Sequence, residues 1–349
     1  MDDQQNNSAM RSADAAPPQL AGFWRRLFAA ILDTLILGIA GWIIGNSLYD
    51  QVISLGQYGR GIGFPIAFLY FALLNSTIGA GGSLGKKALG IRVVNRAGQS
   101  ISLARSLWRT AIYLIPFYLN GLDLSFLPLT QSQAIVAATV TTFLVFGIAG
   151  ATIYLYLANW RTRQVMHDLA ANTFVVRATS ADQTMTQHIN RLHLFIISVW
   201  LLFSLAAVPL AARLVPRDWQ VQFGNAFGVD FNALEKIREA VLADPHIHSA
   251  NANAGATTLY VNGRSITTTS LSVTAIWRSV PSSPEAAADS VAARILSAQP
   301  DILGKQILTV NIRYGFDLGI VQSWNGATYS YSPSEWRARI RRANPNDDI

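Results

Sequence analysis

The pattern of hydrophobic and polar positions divides the chain into an apolar part, which runs to about residue 213, and a mixed part after it. A membrane-spanning helix needs about 20 mostly apolar residues. We predict five spans, at Leu27–Gly45, Gly63–Ile78, Thr110–Leu129, Gln133–Leu157 and Leu192–Leu210. The third is the least regular, since Pro116, Asp123 and Pro128 interrupt it. We expect it to cross as a kinked helix or as a helix–loop–helix packed inside the bundle.

The mixed part alternates between helical and strand-like periodicity, which is typical of one α+β domain. We predict helices at Asn232–Ala243 and Ser283–Ala298, and strands at Thr257–Val261, Leu271–Trp277, Gln306–Ile312 and Leu318–Gln322. The polar end, Arg337–Ile349, is expected to fray. The predicted fold class is therefore an α-helical transmembrane bundle of about five spans followed by a soluble α+β domain.

These patterns predict four segments along the chain. Residues 1–20 are polar and lack the features of a secretory signal, so we interpret them as a disordered cytoplasmic tail. Residues 21–178 form a membrane domain. Residues 179–213 form a linker and the last transmembrane helix, and residues 214–349 form the α+β domain.

Composition agrees with a membrane location, because 51% of the residues are hydrophobic and only 13% are charged. Soluble domains carry about a quarter charged residues. Up to Arg213 the chain has 15 Lys and Arg against 8 Asp and Glu, whereas the rest has 12 of each. A nucleic-acid-binding protein would carry its basic surplus on the soluble domain, so we expect no nucleic-acid partner. The chain has no cysteine, which excludes disulfides and thiolate metal sites.

The basic residues also predict an orientation. They cluster in three places: before the first predicted span, between the second and third, and between the fourth and fifth. By the positive-inside rule these places are cytoplasmic. The connection at residues 46–61 holds only Asp50 and Arg60 and is expected outside. Five crossings then place the N-terminus in the cytoplasm and the C-terminal domain outside it.

Asp33 is the residue that most needs an explanation, because a carboxylate inside a spanning helix requires a partner or a wet cavity. Arg26 lies two helical turns earlier on the same face, about 10 Å away along the axis. Arg26 reaches Asp33 only along that face or through a water or a neighbouring helix. Gly41 and Gly45 have the spacing of a close helix contact near the outer end of the span. Locking of the bundle and ion or proton handling remain equally open for Asp33.

Three motifs occur in the order found in a known family. They are Arg26, Ala29 and Asp33 in the first helix, Gly85, Lys86, Gly90, Val93 and Val94 in a basic loop, and Arg163, Gln164, His167, Asp168 and Thr173 in a later loop. Over residues 21–177 the chain resembles the RDD family of bacterial multi-pass membrane proteins. The resemblance implies that Arg26, Asp33 and Asp168 are the defining residues and that the protein lies in the plasma (inner) membrane of a bacterium. Some members of this family are linked to sodium/proton exchange.

The two motif loops each run into a short strand-like stretch, Ile91–Val94 and Phe174–Val176, and the two stretches are expected to pair. Asn172 stands where the family usually has glycine, and asparagine tolerates the same left-handed backbone. We expect Asp168 to pair with Arg163 or with a basic residue of the Gly85 loop. His167 is then expected to face lipid headgroups, although a proton relay through His167 and Asp168 is an alternative.

Other candidates for chemistry have simpler interpretations. Arg105 and Arg109 are interpreted as topology anchors or contacts for anionic lipid headgroups. His246 and His248 share a strand face but have no third ligand nearby, so we predict no metal site. We also expect no cofactor and no enzymatic activity. The expected partners are the lipid bilayer, a second copy of the chain and an extracytoplasmic protein.

Two functions remain open from the sequence. In the first, the membrane domain is an anchor and assembly module for an extracytoplasmic binding domain. In the second, Asp33 exchanges a proton for a cation as part of a transporter.

Overall fold

The computed structural model describes residues 19–122, 129–180, 183–214, 231–261, 264–299 and 307–343. The chain divides into two compact units, one from Met1–Ile39 and Gly63–Ala212 and the other from Ala40–Ile62 and Arg213–Ile349. The predicted disordered tail lies outside the described residues except for its last two. Gln19 and Leu20 are ordered, because the carbonyl of Gln19 accepts a hydrogen bond from Arg177 N at 2.9 Å.

The first unit is helical. Its elements are α1 Phe23–Ser47, which continues into the second unit, α3 Arg60–Leu74, α4 Leu84–Ala88, β1 Ile91–Val94, α5 Leu103–Leu119, α6 Gln131–Thr142, α7 Ile148–Ala158, α8 Met166–Ala170, β2 Phe174–Arg177 and α9 Arg191–Leu214. A π-helical turn, Phe143–Gly147, joins α6 to α7. Among the described residues, three helices are long and apolar enough to cross a membrane: Phe23–Ser47, Ser132–Ala158 and Arg191–Leu214.

The second and third predicted spans correspond to shorter helices. Helix α3 has 15 residues and contains Pro65. Helix α5 has 17 residues and contains Pro116. It begins earlier than the predicted Thr110, because the Ser102 side chain accepts a hydrogen bond from Arg105 N and caps the helix there. Residues 123–128 of the third predicted span lie outside the described residues.

Helix α9 packs on the α6–α7 helix through small residues. The indole of Trp200 donates a hydrogen bond to the carbonyl of Gly147 at 3.1 Å. A Cβ atom on Gly147 would lie 2.5 Å from Ser204 Oγ, and one on Gly150 would lie 2.6 Å from Trp200 Nε1. Close approach of this kind is the usual basis of helix association in a membrane.

The predicted pairing of the two motif strands is confirmed. Strands β1 and β2 are antiparallel, with Ile91 opposite Arg177 and Val94 opposite Phe174. The chain just before α1 extends this small sheet, because Ala21 N donates to the carbonyl of Val175 at 2.9 Å. The sheet therefore ties the start of α1 to both motif loops.

The second unit contains a four-stranded sheet with helices packed on it. Its elements are α2 Tyr49–Leu55, α10 Phe231–Leu242, β3 Ile247–Val261, β4 Arg264–Trp277, α11 Pro284–Ala298, β5 Ile307–Asp317, β6 Gln322–Tyr331 and α12 Pro333–Ala343. The strand order is β3-β4-β5-β6. The pairs β3–β4 and β5–β6 are antiparallel and β4–β5 is parallel. A parallel pair needs a crossover connection, and α11 forms the one between β4 and β5.

One apolar cluster joins α10, α11 and α12 to the sheet. Its members alternate along the strands and follow helical spacing in α10 and α11, which is why the two periodicities alternate in the sequence. The cluster includes Leu234, Ile237, Val241, Leu271, Val273, Ala275, Val291, Ile295, Leu308, Val310, Ile312, Trp336 and Ile340.

The predicted helices of this part are confirmed, including the N-cap Ser283, whose side chain accepts from Ala286 N. The predicted strands at 257–261 and 271–277 are confirmed and are longer than expected. Two predictions are wrong. Residues 318–321 form the turn between β5 and β6 rather than a strand. Residues 337–343 do not fray, because Trp336 and Ile340 are buried in the core and hold α12 on the sheet. Residues 344–349 of that prediction lie outside the described residues.

Gly41 and Gly45 pack against the end of β5 and the turn after it, and not against another helix. A Cβ on Gly41 would lie 2.8 Å from side-chain atoms of Ile320 and Val321, and one on Gly45 would lie 2.2 Å from Phe316 Cζ. The expected helix contact is therefore wrong. The glycines instead leave room for the apolar turn between β5 and β6.

The end of β5 and the turn after it make further contacts with residues 40–62. Val52 is buried in a cluster with Phe316 and Leu318. Arg60 Nη2 lies 2.8 Å from Asp317 Oδ2, and Asp317 also accepts a hydrogen bond from Gly319 N at 2.6 Å. The second unit is therefore assembled from two distant parts of the chain.

Candidate functional site

Two arginines from different helices converge on Asp168 in the first turn of α8. Arg26 Nη2 of α1 donates to Asp168 Oδ2 at 2.6 Å. Arg109 of α5 donates to Asp168 Oδ1 through Nη2 at 2.7 Å and through Nε at 3.0 Å. The Asp168 side chain is fully buried and that of Arg109 is nearly so. A buried charge requires such pairing, so these contacts join three elements at one carboxylate.

The local chain completes the surroundings of Asp168. The Thr173 hydroxyl lies 3.3 Å from Asp168 Oδ1, and Val165 N donates to Asp168 Oδ2 at 3.4 Å. Burial alone would raise the pKa of Asp168, but the charges of Arg109 and Arg26 outweigh it and hold that pKa well below its usual range. Burial, and then the charge of Arg109, lowers the pKa of the adjacent His167 well below the usual 6.5, so its ring is neutral.

These contacts correct several expectations. Asp168 does not pair with Arg163, whose guanidinium donates to the carbonyl of Leu20 at 3.2 Å. Nor does Arg109 point to lipid headgroups, since it is buried against Asp168, whereas Arg105 on the same helix is exposed. His167 is buried and packs edge-on against Tyr113 rather than facing headgroups. A buried carboxylate binds the nearest desolvated cations, and helix packing rather than sequence spacing decides which cations those are.

Asp33 forms a second polar cluster, and Arg26 is not its partner. Asp33 Oδ1 accepts hydrogen bonds from Tyr70 OH at 2.7 Å and from Gly85 N at 2.8 Å. Oδ2 accepts from Ser83 Oγ at 2.5 Å and lies 3.8 Å from Lys86 Nζ. The carboxylate thus binds the N-terminus of α4, where free backbone N–H groups favour an anion.

Gly85 has a steric role in this cluster. A Cβ atom there would lie 2.2 Å from the carbonyl oxygen of Ala29 and 2.9 Å from Asp33 Oδ1. Ala29 itself is buried beneath the loop. Two small residues therefore allow α4 to reach the backbone of α1 and donate to Asp33.

The remaining motif residues shape the loops. Arg26 Nη1 donates to the carbonyl of Arg163, and Gln164 Nε2 donates to the carbonyl of Thr173 at 2.9 Å. Gly90 has a positive φ of 61° in the turn before β1, and Asn172 has a φ of 50°. The prediction of a left-handed backbone at Asn172 is therefore confirmed.

Sequence reasoning missed Tyr70 and Ser83 as partners of Asp33. Ser83 precedes the helix-compatible stretch Leu84–Ala88, so an N-cap signal was present for it. Nothing in the sequence around Tyr70 distinguishes it from the other aromatic residues of α3.

A cavity of about 200 Å³ lies between the two polar clusters. Charged and polar groups face it from α1, α4, α5, α7 and α8 and from Asn75 just after α3, and apolar side chains complete the wall. Its lining residues are Arg26, Leu27, Ala30, Asp33, Phe71, Asn75, Lys86, Ile91, Arg109, Thr110, Tyr113, Thr152, Tyr156, Val165, His167 and Val175. Asp168 lies behind the two arginines.

Known proteins resemble this part of the chain. The uncharacterized protein YckC of Bacillus subtilis (strain 168) is 24% identical over 170 residues, which are 47% of this chain and 89% of that protein. The uncharacterized protein YxaI of the same organism is 28% identical over 130 residues, which are 30% of this chain and 85% of that protein. No solved structure matches the chain.

The model of the RDD family matches residues 20–172. This range contains Arg26, Asp33 and Asp168, the three residues that the resemblance named, and the contacts above place each of them in a buried polar cluster. Over residues 20–172 this chain is therefore similar to the RDD family.

Proposed function

We propose that this protein is a multi-pass membrane protein in which the RDD core anchors an extracytoplasmic α+β domain that binds a protein partner. The N-terminus lies in the cytoplasm, and α1, α3, α5, the α6–α7 helix and α9 cross the plasma membrane. In this proposal the two buried carboxylates stabilise the core and carry no ion.

The observation that carries this proposal is the packing of residues 40–62 on the turn between β5 and β6. Charge distribution predicts that this connection lies outside, and it forms one compact unit with the C-terminal domain through Arg60, Asp317 and a shared apolar cluster. An anchor that carries a domain needs a firm attachment to it, whereas an ion exchanger does not.

The hydrogen bonds of Asp33 also favour a structural role for this residue. Its two oxygens accept three hydrogen bonds, and an ammonium group lies close by. A carboxylate that exchanges ions must lose such partners during each cycle. Here the donors come from two helices and from the backbone, so their removal would disrupt the fold around α4.

The test is a topology map of the full chain by reporter fusions at Gly85, Ser132, Asn172 and Val229. We expect Gly85 and Asn172 in the cytoplasm and Ser132 and Val229 outside. An intracellular Val229 would overturn both the five crossings and the exported domain. A chain that lacks residues 214–349 and still fully rescues a deletion strain would overturn the binding role of the domain.

Cation/proton exchange through Asp33 is the second candidate, and one observation favours it. Asp33 and Lys86 both line the cavity in the family core, so a titratable pair faces an internal space. The measurement is cation-dependent proton flux in proteoliposomes. Flux that Asp33→Asn abolishes, and that the exposed control Asp50→Asn leaves intact, would support exchange. Flux equal in the two variants would exclude a role for Asp33.

A further inference from the structure

We infer that the cavity of the RDD core is a binding site for a small monovalent anion, held by Arg26, Lys86 and Arg109. This inference goes beyond the anchoring function and does not depend on it. The proposed anion is a bound ligand of the core and is not transported. The proposal depends neither on the topology of the chain nor on a partner of the outer domain.

The first support is the balance of charge around the cavity. Among the described residues that line or back it, the cations are Arg26, Lys86 and Arg109, and the carboxylates are Asp33 and Asp168. His167 is neutral, because burial lowers its pKa well below the usual value. One positive charge therefore has no counter-charge in a buried region, which is unfavourable unless an anion enters or a proton leaves.

Neither carboxylate faces the cavity as a free acceptor. Asp168 lies behind Arg26 and Arg109 and does not line the space. Asp33 lines it, but both of its oxygens already accept hydrogen bonds from Tyr70, Ser83 and Gly85. The three cations outnumber the two carboxylates around the cavity, so the region carries a net positive charge that attracts an anion.

Unpartnered polar atoms give the second support. Thr110 and Asn75 are each 1% exposed and line the cavity. Within the described part of the chain, Thr110 Oγ1 and Asn75 Oδ1 have no hydrogen-bond partner. The Thr110 hydroxyl is able to donate to an anion. Asn75 Oδ1 only accepts, because its amide nitrogen donates to the carbonyl of Phe71 at 2.8 Å, so it suits a water that accompanies the ion.

The size and walls of the cavity define the class of anion. A volume of about 200 Å³ holds an ion of a few heavy atoms together with water, since a water occupies about 30 Å³ in the liquid. Leu27, Phe71, Ile91, Val165 and Val175 make part of the wall apolar. Such a wall favours nitrate, which is weakly hydrated, or a short-chain carboxylate, whose alkyl group contacts the wall, over the divalent and strongly hydrated sulfate.

Lys86 makes the affinity depend on pH. Burial, and then the charge of Arg109, lowers the pKa of the Lys86 ammonium group to about 8. With the cavity empty, Lys86 loses its proton near that pH, and a bound anion opposes the loss. We therefore expect affinity to be highest below pH 8 and to fall above it. The other titratable and charged groups that face Lys86 or the cavity are Arg26, Asp33, Tyr70, Arg109, Tyr113, Tyr156, His167 and Asp168.

The experiment is isothermal titration of the purified full chain in detergent, in a sulfate buffer at fixed ionic strength and pH 7. Sodium acetate, propionate and nitrate are the probes, and a change from sodium to potassium tests for cation binding. We expect saturable binding of at least one probe anion that is the same with either cation. The affinity is expected to weaken by several-fold, and by at most about tenfold, between pH 7 and pH 9, because Lys86 loses its proton near pH 8.

Matched variants assign the site. Lys86→Met is expected to weaken binding at least tenfold, and Lys87→Met, an exposed neighbour in the same helix, is expected to have no effect. Thr110→Val keeps every ion pair and should weaken binding a few-fold, so it tests the site even if Lys86→Met fails to fold. Absence of binding in the wild type, equal affinity in Thr110→Val and wild type, or binding that follows the cation would each overturn the inference.

Discussion

The two units are stabilised by different interactions. In the second unit a single cluster of hydrophobic side chains joins three helices to the sheet. In the first unit the apolar clusters are small, and the helices meet at Asp33 and Asp168, two buried carboxylates. Burial of apolar surface drives folding in water, but it does little between helices that lipid surrounds. A bundle in lipid therefore depends on polar contacts to select one arrangement of its helices.

Among the substitutions that test this comparison, Asp168→Asn is expected to have the largest effect on stability. The substitution leaves Arg26 and Arg109 buried without their counter-charge, and the loss of one partner of a buried ion pair costs about 3–5 kcal/mol. We expect that decrease in the free energy of unfolding of the full chain in detergent. Hydrogen exchange should increase in β1, β2 and α5 and remain unchanged in β5 and β6.

Asp50→Asn is the matched control, because Asp50 is an exposed carboxylate, and it should change stability by less than about 0.5 kcal/mol. A loss below about 1 kcal/mol in Asp168→Asn would mean that apolar packing holds the first unit as it does the second.

The pH dependence of stability tests the same buried ion pairs. The pKa of Asp168 is lower in the folded protein than its usual 3.8, so its stabilising contribution is complete above that value and is lost progressively as the pH falls below it. We expect the difference in stability between wild type and Asp168→Asn to be constant from pH 7 to about pH 5 and to shrink from pH 4 to pH 3. A difference that grows on acidification would contradict the ion-pair explanation.

Trp336→Ala is the corresponding test of the second unit. Trp336 is fully buried, and its indole donates to the carbonyl of Leu308 at 2.9 Å. Removal of a buried aromatic side chain costs about 3–5 kcal/mol, so exchange in β5, β6 and α12 should increase while β1 and β2 stay protected. Trp324→Ala, at a partly exposed position on β6, is the control. Equal effects of the two variants would contradict the placement of α12 in the core.

The smallest effect is expected at Asn172, where the first unit depends on a backbone conformation. A φ of 50° is unfavourable for most side chains, and glycine adopts it freely. Asn172→Gly should preserve stability, and Asn172→Ala should lose about 1 kcal/mol in the thermal or chemical unfolding of the full chain. A loss that is equal in both variants would point to a side-chain contact instead.

Local features of the structure were predictable, and long-range contacts were predictable only where the motifs indicated both partners. Helices α10 and α11 and the cap at Ser283 follow from periodicity and short-range signals. The pairing of β1 with β2 joins distant segments, but each strand follows a motif loop. Two further partners of the carboxylates, Arg109 and Tyr70, lie far from them in sequence and outside the motifs. The packing of α12 was not predicted, because it depends on two apolar residues in a mostly charged segment. Two residues give too weak a periodic signal.

The Arg26–Asp168–Arg109 cluster has a consequence for the order in which the chain is assembled. The arginines at positions 26 and 109 leave the ribosome long before the carboxylate at position 168. In the proposed topology, α1 and α5 therefore enter the membrane during synthesis with cations that lack this acceptor. The bundle becomes complete only after α8 and β2 have been made, which makes its closure a late event in biogenesis. A chain interrupted before residue 168 should remain an open set of helices, available to quality-control proteases.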